Sequence, residues 1–147
     1  LVSEKNREIL DKIIRKNTRY FISEISHSII FTKGLTQATQ IAFEQIIENL
    51  KPELDFVLVD AFKIKSFPIS RQLAIVHGDM VSASISAASI IAKVYRDNLM
   101  KQISKKYPMY GFENHKGYGT QQHQLAIKKN GLCQIHRTNY KLKFLSA

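Results

Sequence analysis

Five residues near the middle of the chain, Phe56-Val57-Leu58-Val59-Asp60, limit its architecture more than any other stretch. A short apolar run closed by a single carboxylate reads as a strand buried on both faces, with Asp60 where the chain emerges. Helical patterns lie on either side of it. One follows Gly34, with Ala38, Ala42, Ile46 and Leu50 four apart, and ends by Pro52. Another spans Ser82 to Lys106, with Ala88, Ile91, Ala92, Tyr95, Leu99 and Ile103 on one face. Between them Leu73–Val76 reads as a second strand running into His77-Gly78-Asp79. Strands alternating with helical crossovers define an α/β fold with a parallel or mixed sheet flanked by helices.

The remaining segments fit around that frame. Ser3 is placed to cap a first helix, with Leu10, Ile13 and Ile14 on one stripe. Residues 18–31 are rich in β-branched and aromatic types and predict a strand. The start of the Ser82–Lys106 helix is crowded with Ser and Ala, which points to tight packing. Residues 107–119, with Pro108, Gly111, Gly117 and Gly119, read as a loop. Thr120 then caps a short last helix that stops at Asn130-Gly131. With no repeat, low-complexity tract or Gly/Ser linker, residues 1–147 are expected to form a single domain.

Charge narrows the partners. Twenty-two Lys and Arg stand against 12 Asp and Glu, a net charge of +10, which favours polyanions through counterion release. A merely well-solvated basic surface is the competing reading. No apolar run approaches the ~18–20 residues of a membrane helix, and LVSEKNREIL is not a signal peptide. The single Cys133 excludes an intramolecular disulfide and suits a cytoplasmic location. The chain opens on Leu1 rather than methionine, and more of the protein is expected upstream.

Asp60 and Asp79 each close an apolar segment, and ligands in open α/β sheets bind beyond the carboxyl ends of strands. Two carboxylates meeting there would be reconciled by Mg²⁺ or Mn²⁺, hard ions that also leave room for water and phosphate. Spacing alone equally serves turn roles for both residues, and favours them. His77 is a further polar candidate at the second strand end. In Asn114-His115-Lys116-Gly117-Tyr118-Gly119-Thr120, Lys116 suits a phosphate and Tyr118 a base or sugar; a tyrosine anchoring the loop is as good a reading. His115, His123, Cys133 and His136 match no zinc-finger spacing, and zinc is rejected.

These stretches together resemble type 2 ribonuclease H (ribonuclease HII), from Leu1 to about Tyr140. The resemblance rests on Val57-Leu58-Val59-Asp60, on His77-Gly78-Asp79, and on Ser86-Ala87-Ala88-Ser89-Ile90-Ile91-Ala92-Lys93-Val94 followed by Arg96-Asp97. His115 to Thr120 and Ile135-His136-Arg137 complete it, in the family's order, and Ser3 to Glu8 looks like the family's first helix. The helix from Ser86 to Val94 is its most specific part.

The resemblance implies a ribonuclease H-like fold and an endoribonuclease that uses Mg²⁺ or Mn²⁺. Its substrates would be RNA–DNA hybrids or duplex DNA containing ribonucleotides. Asp60 and Asp79 match the third and fourth of four metal-binding carboxylates, and so the catalytic residues. Tyr118 matches the tyrosine that senses the junction between a ribonucleotide and the next deoxynucleotide, and Lys116 lies where the family approaches the nucleic-acid backbone. Asp97 matches a helix residue and not a ligand.

Three departures matter. The family's Asp-Glu pair and the Gly-Arg-Gly segment after it occur nowhere in these residues, so the N-terminal strands are expected to be absent and the chain inactive alone. Ala61 stands where bacterial members commonly carry glycine, and Gly34-Leu35-Thr36 replaces a more usual Asn-Ile-Leu. The complete protein is expected to be a monomer with no membrane association. The alternative readings are a non-catalytic basic nucleic-acid-binding module and, less favoured, a half-enzyme completed by a second polypeptide.

Overall fold

The computed structural model describes residues 2–52 and 54–137; Leu1 and residues 138–140, at the ends of the resemblance, lie outside them. The architecture is helix-rich α/β, the class expected, with one small parallel sheet. The chain divides after Val94 into two compact units. No helix among the described residues is long and apolar enough to cross a membrane.

In the first unit α1 (Glu4–Asn17) is capped by Ser3, whose side chain accepts the N–H of Asn6 at 3.3 Å. Its expected stripe stays at the surface, Ile13 being 53% exposed, and the helix instead buries Asp11, paired with Arg15 at 2.7 Å. The strand expected within residues 18–31 does not form. β-branched and aromatic residues make a strand only where a ladder partner exists. Here Ser26 offers a cap instead, and α2 (His27–Leu50) begins. Gly34, at φ 78° and ψ 162°, kinks α2 rather than preceding it. An L-residue would meet a steric penalty there.

Strand β1 (Val57–Asp60) pairs in parallel with β2 (Gln72–Ile75), Asp60 opposite Ile75. β1 is not buried on both faces. Val59 is 5% exposed and Leu58 39%, an alternation that follows from having a core on one side only. Val59 packs with Ile47, Ile64 and Phe67, and Phe43, Leu54 and Val57 close around them.

Two glutamines hold the loop that follows β1. Gln40 of α2 donates to the Lys63 carbonyl at 2.8 Å and accepts the Lys65 N–H at 2.9 Å. Buried Gln72 accepts the Ile64 N–H at 2.7 Å and donates to the carbonyls of Ile64 and Phe67 at 2.9 and 2.6 Å. Buried polar groups need such partners.

Beyond β2 come the short α3 (Gly78–Val81), which the sequence pattern does not signal, and α4 (Ala83–Lys106). The buried face of α4 differs from the one expected. Ile85, Ile91, Val94, Met100 and Ser104 are inside, whereas Ala88 and Ala92 are exposed. The small residues face open space and not a packed neighbour.

The second unit contains α5 (Phe112–His115) within the expected loop, and α6 (Gln121–Asn130). The Thr120 side chain caps α6 by accepting the His123 N–H at 3.3 Å, as expected, and Gly131 at φ 75° ends it. Met100, Tyr110, Phe112 and Ile127 form its core.

Replacing Gln72 by leucine removes the acceptor of the buried Ile64 N–H. The expected cost is about 1–3 kcal/mol, read as a lower urea midpoint at unchanged m-value; an unchanged midpoint would show the clamp to be dispensable.

Candidate functional site

Both strands of a parallel pair end at the same edge, so their exit residues become neighbours. The sheet continues for one bond beyond β1, Ala61 N–H donating to the Ile75 carbonyl at 2.9 Å. The Asp60 carboxylate then accepts the Gly78 N–H at 3.0 Å. Gly78 directly precedes Asp79, so the two candidate carboxylates share one locality at the mouth of the sheet. Asp60 is exposed and Asp79 half-buried in the first turn of α3.

The turns that deliver them use uncommon backbone. Ala61 has φ 61° and His77 φ 54°, left-handed values that favour glycine or asparagine. His77 thus serves as the turn into α3, and Gly78 is buried against Ile85 and Ile75 with no room for a Cβ. The glycine that the resemblance leads one to expect at position 61 has a steric basis here.

A groove of about 650 Å³ lies beside β1, lined by Phe43, Leu58, Asp60, Ile85, Ala88 and Ala92 among others. Along that unit's sheet β1 has a strand partner on one side only among the described residues. The Ser/Ala-rich start of α4 therefore borders an open apolar channel with Asp60 in its wall.

Lys116 and Tyr118 belong to the second unit. Lys116, at φ 52°, turns the chain out of α5, and its ammonium donates to the Glu113 carbonyl. Tyr118 is 64% exposed. Arg96 lies beneath its ring, 5.8 Å from the centroid, and donates to the Lys116 carbonyl at 3.0 Å. An exposed ring backed by a guanidinium is a flat, cationic platform suited to a base and a phosphate. Arg96 had entered the sequence reading only as part of a motif; its supporting role depends on a contact 20 residues away and has no local signal.

His115, His123 and His136 gather around Phe112. His115 and His123 stack at 4.3 Å, and His123 lies 3.1 Å from His136. Burial, with the charge of neighbouring histidines, holds His123 and His136 below the ordinary histidine value. Burial likewise pushes the Tyr110 phenol up. Among the described residues no three His, Cys, Asp or Glu groups converge to hold a metal, which agrees with rejecting zinc and leaves Asp60 and Asp79 as a pair.

A family model described as Ribonuclease HII matches residues 1–144. The protein named ribonuclease HII from Caldicellulosiruptor bescii is 42% identical over 146 residues, covering 99% of this chain and 70% of that protein. The one from Ruminiclostridium cellulolyticum is 43% identical over 145 residues, covering 98% and 56%. That of Clostridium botulinum (strain Loch Maree / Type A3) is also 43% identical over 145 residues, covering 98% and 54%. The chain thus spans just over half the length of two of these relatives and 70% of the third.

Ala61→Gly is expected to relieve a left-handed strain of about 1–2 kcal/mol, against about 0.5–1 kcal/mol of added chain entropy in the unfolded state. Urea unfolding followed by circular dichroism should show a net gain of up to about 1 kcal/mol; a loss would mean that the turn does not strain Ala61.

Proposed function

The chain belongs to the ribonuclease HII family, and on that premise we propose that it is part of an endoribonuclease acting on RNA–DNA hybrids and on ribonucleotides embedded in duplex DNA. It cuts on the 5′ side of a ribonucleotide and leaves 3′-hydroxyl and 5′-phosphate ends. The observation that carries this reading is the hydrogen bond from the Gly78 N–H to the Asp60 carboxylate, at 3.0 Å. It sets one acidic side chain beside the residue that bears the next.

Asp60 and Asp79 are the proposed ligands of Mg²⁺ or Mn²⁺. Their fit to such an ion rests on hard oxygen donors gathered at one strand edge, with the second Asp60 oxygen left by the Gly78 bond. A bound divalent ion would neutralise phosphate charge and activate water for phosphodiester hydrolysis. The chain's own contribution is orientation. Gly78 fixes the Asp60 carboxylate, and the turn at His77 delivers Asp79 in the first turn of α3. In the second unit Tyr118, backed by Arg96, is the proposed contact to the ribonucleotide junction, and Lys116 the proposed contact to a phosphate.

Two carboxylates are half of the family's set. We assign the other two, the Asp-Glu pair with its Gly-Arg-Gly segment, to a strand upstream of these residues. The open side of β1 and the groove beside it suit such a strand. The 147 residues by themselves are therefore proposed to be inactive.

The test is cleavage of a duplex carrying one ribonucleotide, with Mg²⁺ or Mn²⁺, by the protein with its upstream segment restored. Asp60→Asn should reduce the rate by at least about 100-fold, since even groups behind metal ligands cost 10–100-fold. Unchanged cleavage would remove Asp60 from the site. These 147 residues alone should leave the duplex intact, and cleavage by them would refute the assignment of the missing pair. Were the restored protein inactive too, yet bound to duplexes with a steep salt dependence and no regard for ribose, the +10 charge would mark a non-catalytic binding module instead.

A further inference from the structure

The second unit contains a chain of hydrogen bonds that admits one assignment of protons. Cys133 N–H donates to His136 Nδ1 at 2.9 Å, and the Cys133 Sγ lies 3.0 Å from the same nitrogen. A nitrogen that accepts carries no proton, so the neutral His136 ring bears its hydrogen on Nε2. That N–H meets His123 Nε2 at 3.1 Å, which must accept it. The His123 proton is then on Nδ1, 2.9 Å from the Tyr118 carbonyl. Each donor in the series has its acceptor. The same carbonyl accepts the Thr120 N–H at 2.8 Å, next to the cap of α6.

We propose that His136, acting through His123, positions Tyr118 for its nucleic-acid partner, and that a proton taken up by either ring releases it. This rests on the reading of Tyr118 as a nucleic-acid contact. His123 and His136 are positioning residues; neither is required to touch the substrate.

The reason for the release is donor against donor. A second proton on His136 goes to Nδ1 and faces the Cys133 N–H. A second proton on His123 goes to Nε2 and faces the His136 N–H. In both cases a buried or half-buried bond is replaced by a repulsive contact, and the tautomer that holds the Tyr118 carbonyl is no longer enforced. His123 is only 6% exposed, so water cannot readily take over the lost bond.

The surrounding ionisable groups do not relieve the clash. His115 stacks on His123, and its own protonation is set by the Gly117 N–H donating to Nδ1 at 3.3 Å and by the Tyr110 carbonyl, 2.8 Å from Nε2. Tyr110 and Cys133 flank His136. Glu113, on the helix that carries His115, accepts the Ser104 hydroxyl; Lys116 is turned to the Glu113 carbonyl, and Arg96 to the Tyr118 ring. Burial is the main cause that keeps both rings neutral, with the His123–His136 and His115 charges adding to it and the hydrogen bonds to Tyr118 and Cys133 opposing it. Both values lie below the ordinary 6.5. The unfolded chain therefore binds protons first as the pH falls. The stabilisation is whole above about pH 6.5 and is lost as the pH drops through that value towards those of the folded rings.

The experiment uses this chain, its His136→Gln and His136→Leu variants, and Tyr118→Ala in each background. Glutamine can accept from Cys133 N–H and donate to His123 without titrating; leucine can do neither. The first readout needs no ligand: imidazole ¹⁵N shifts report the tautomers, and hydrogen exchange of the Thr120 amide reports the Tyr118 carbonyl, from pH 7.5 to 5.5. The second is affinity for a synthetic RNA–DNA hybrid with and without Tyr118→Ala, a ratio in which general charge effects cancel.

We expect the His123 proton on Nδ1 at pH 7.5 and falling Thr120 protection towards pH 5.5. The contribution of Tyr118 to affinity should be about tenfold at pH 7.5, the low end for one stacked base, and should shrink towards unity at pH 5.5. His136→Gln should retain it across the range and His136→Leu should lack it throughout. A proton on His123 Nε2 at pH 7.5, protection indifferent to pH, or Gln and Leu variants that behave alike would overturn the proposal. An intact hydrogen-bond chain with Tyr118→Ala silent at pH 7.5 would instead remove Tyr118 from the nucleic-acid contact, and the positioning role with it.

Discussion

Because β1 and β2 run parallel, both strands leave the sheet at one edge, and the pairing of Asp60 with Ile75 sets their exits side by side. A one-residue slip would reverse the faces of every side chain on β1. Val59 would leave the core and the Asp60 carboxylate would turn from Gly78. Four paired residues per strand are too few to hold that register alone. Val59 and its neighbours supply the burial, while Gln40 and Gln72 tie down the loop between the strands. The site residues in this unit are thus held by groups that carry no site chemistry themselves.

The second unit solves a different problem, how to fix a short surface loop. Phe112 is the centre, with Tyr110 stacked on it and three imidazoles around its edge. Imidazole rings are a compromise between apolar packing and polar reach. Each fills space beside Phe112 and still satisfies the backbone groups of a segment with little regular structure, at Tyr110, Gly117, Tyr118 and Cys133. Aliphatic side chains would pack as well but would leave those groups without partners. The exposed Tyr118 ring can then sit on the surface because its backbone is anchored from below.

Local signals were read correctly where the cause is local. The caps at Ser3 and Thr120, the strand ending at Asp60, the one running into His77 and the long helix up to Lys106 all follow from side chains within a few positions. The misreadings share one origin. Residues 18–31 have strand chemistry but no ladder partner, and the Leu10–Ile13 stripe has helical spacing but remains at the surface. Ala88 and Ala92 have helical spacing too, yet face a groove. Periodicity states which residues share a face; it does not state what lies opposite.

By itself the sequence determined the element types, the chemistry at positions 60, 79, 116 and 118, and, through its motifs, the ribonuclease HII family. All of these depend on residue identity and short spacing. Only the tertiary structure decided that the Asp60 carboxylate meets the amide before Asp79, that Arg96 backs Tyr118, and that His136 sets the tautomer of His123. Those contacts join residues 13 to 22 positions apart, and at such separations it is the path of the folded backbone, not the order of residues along it, that decides which side chains meet.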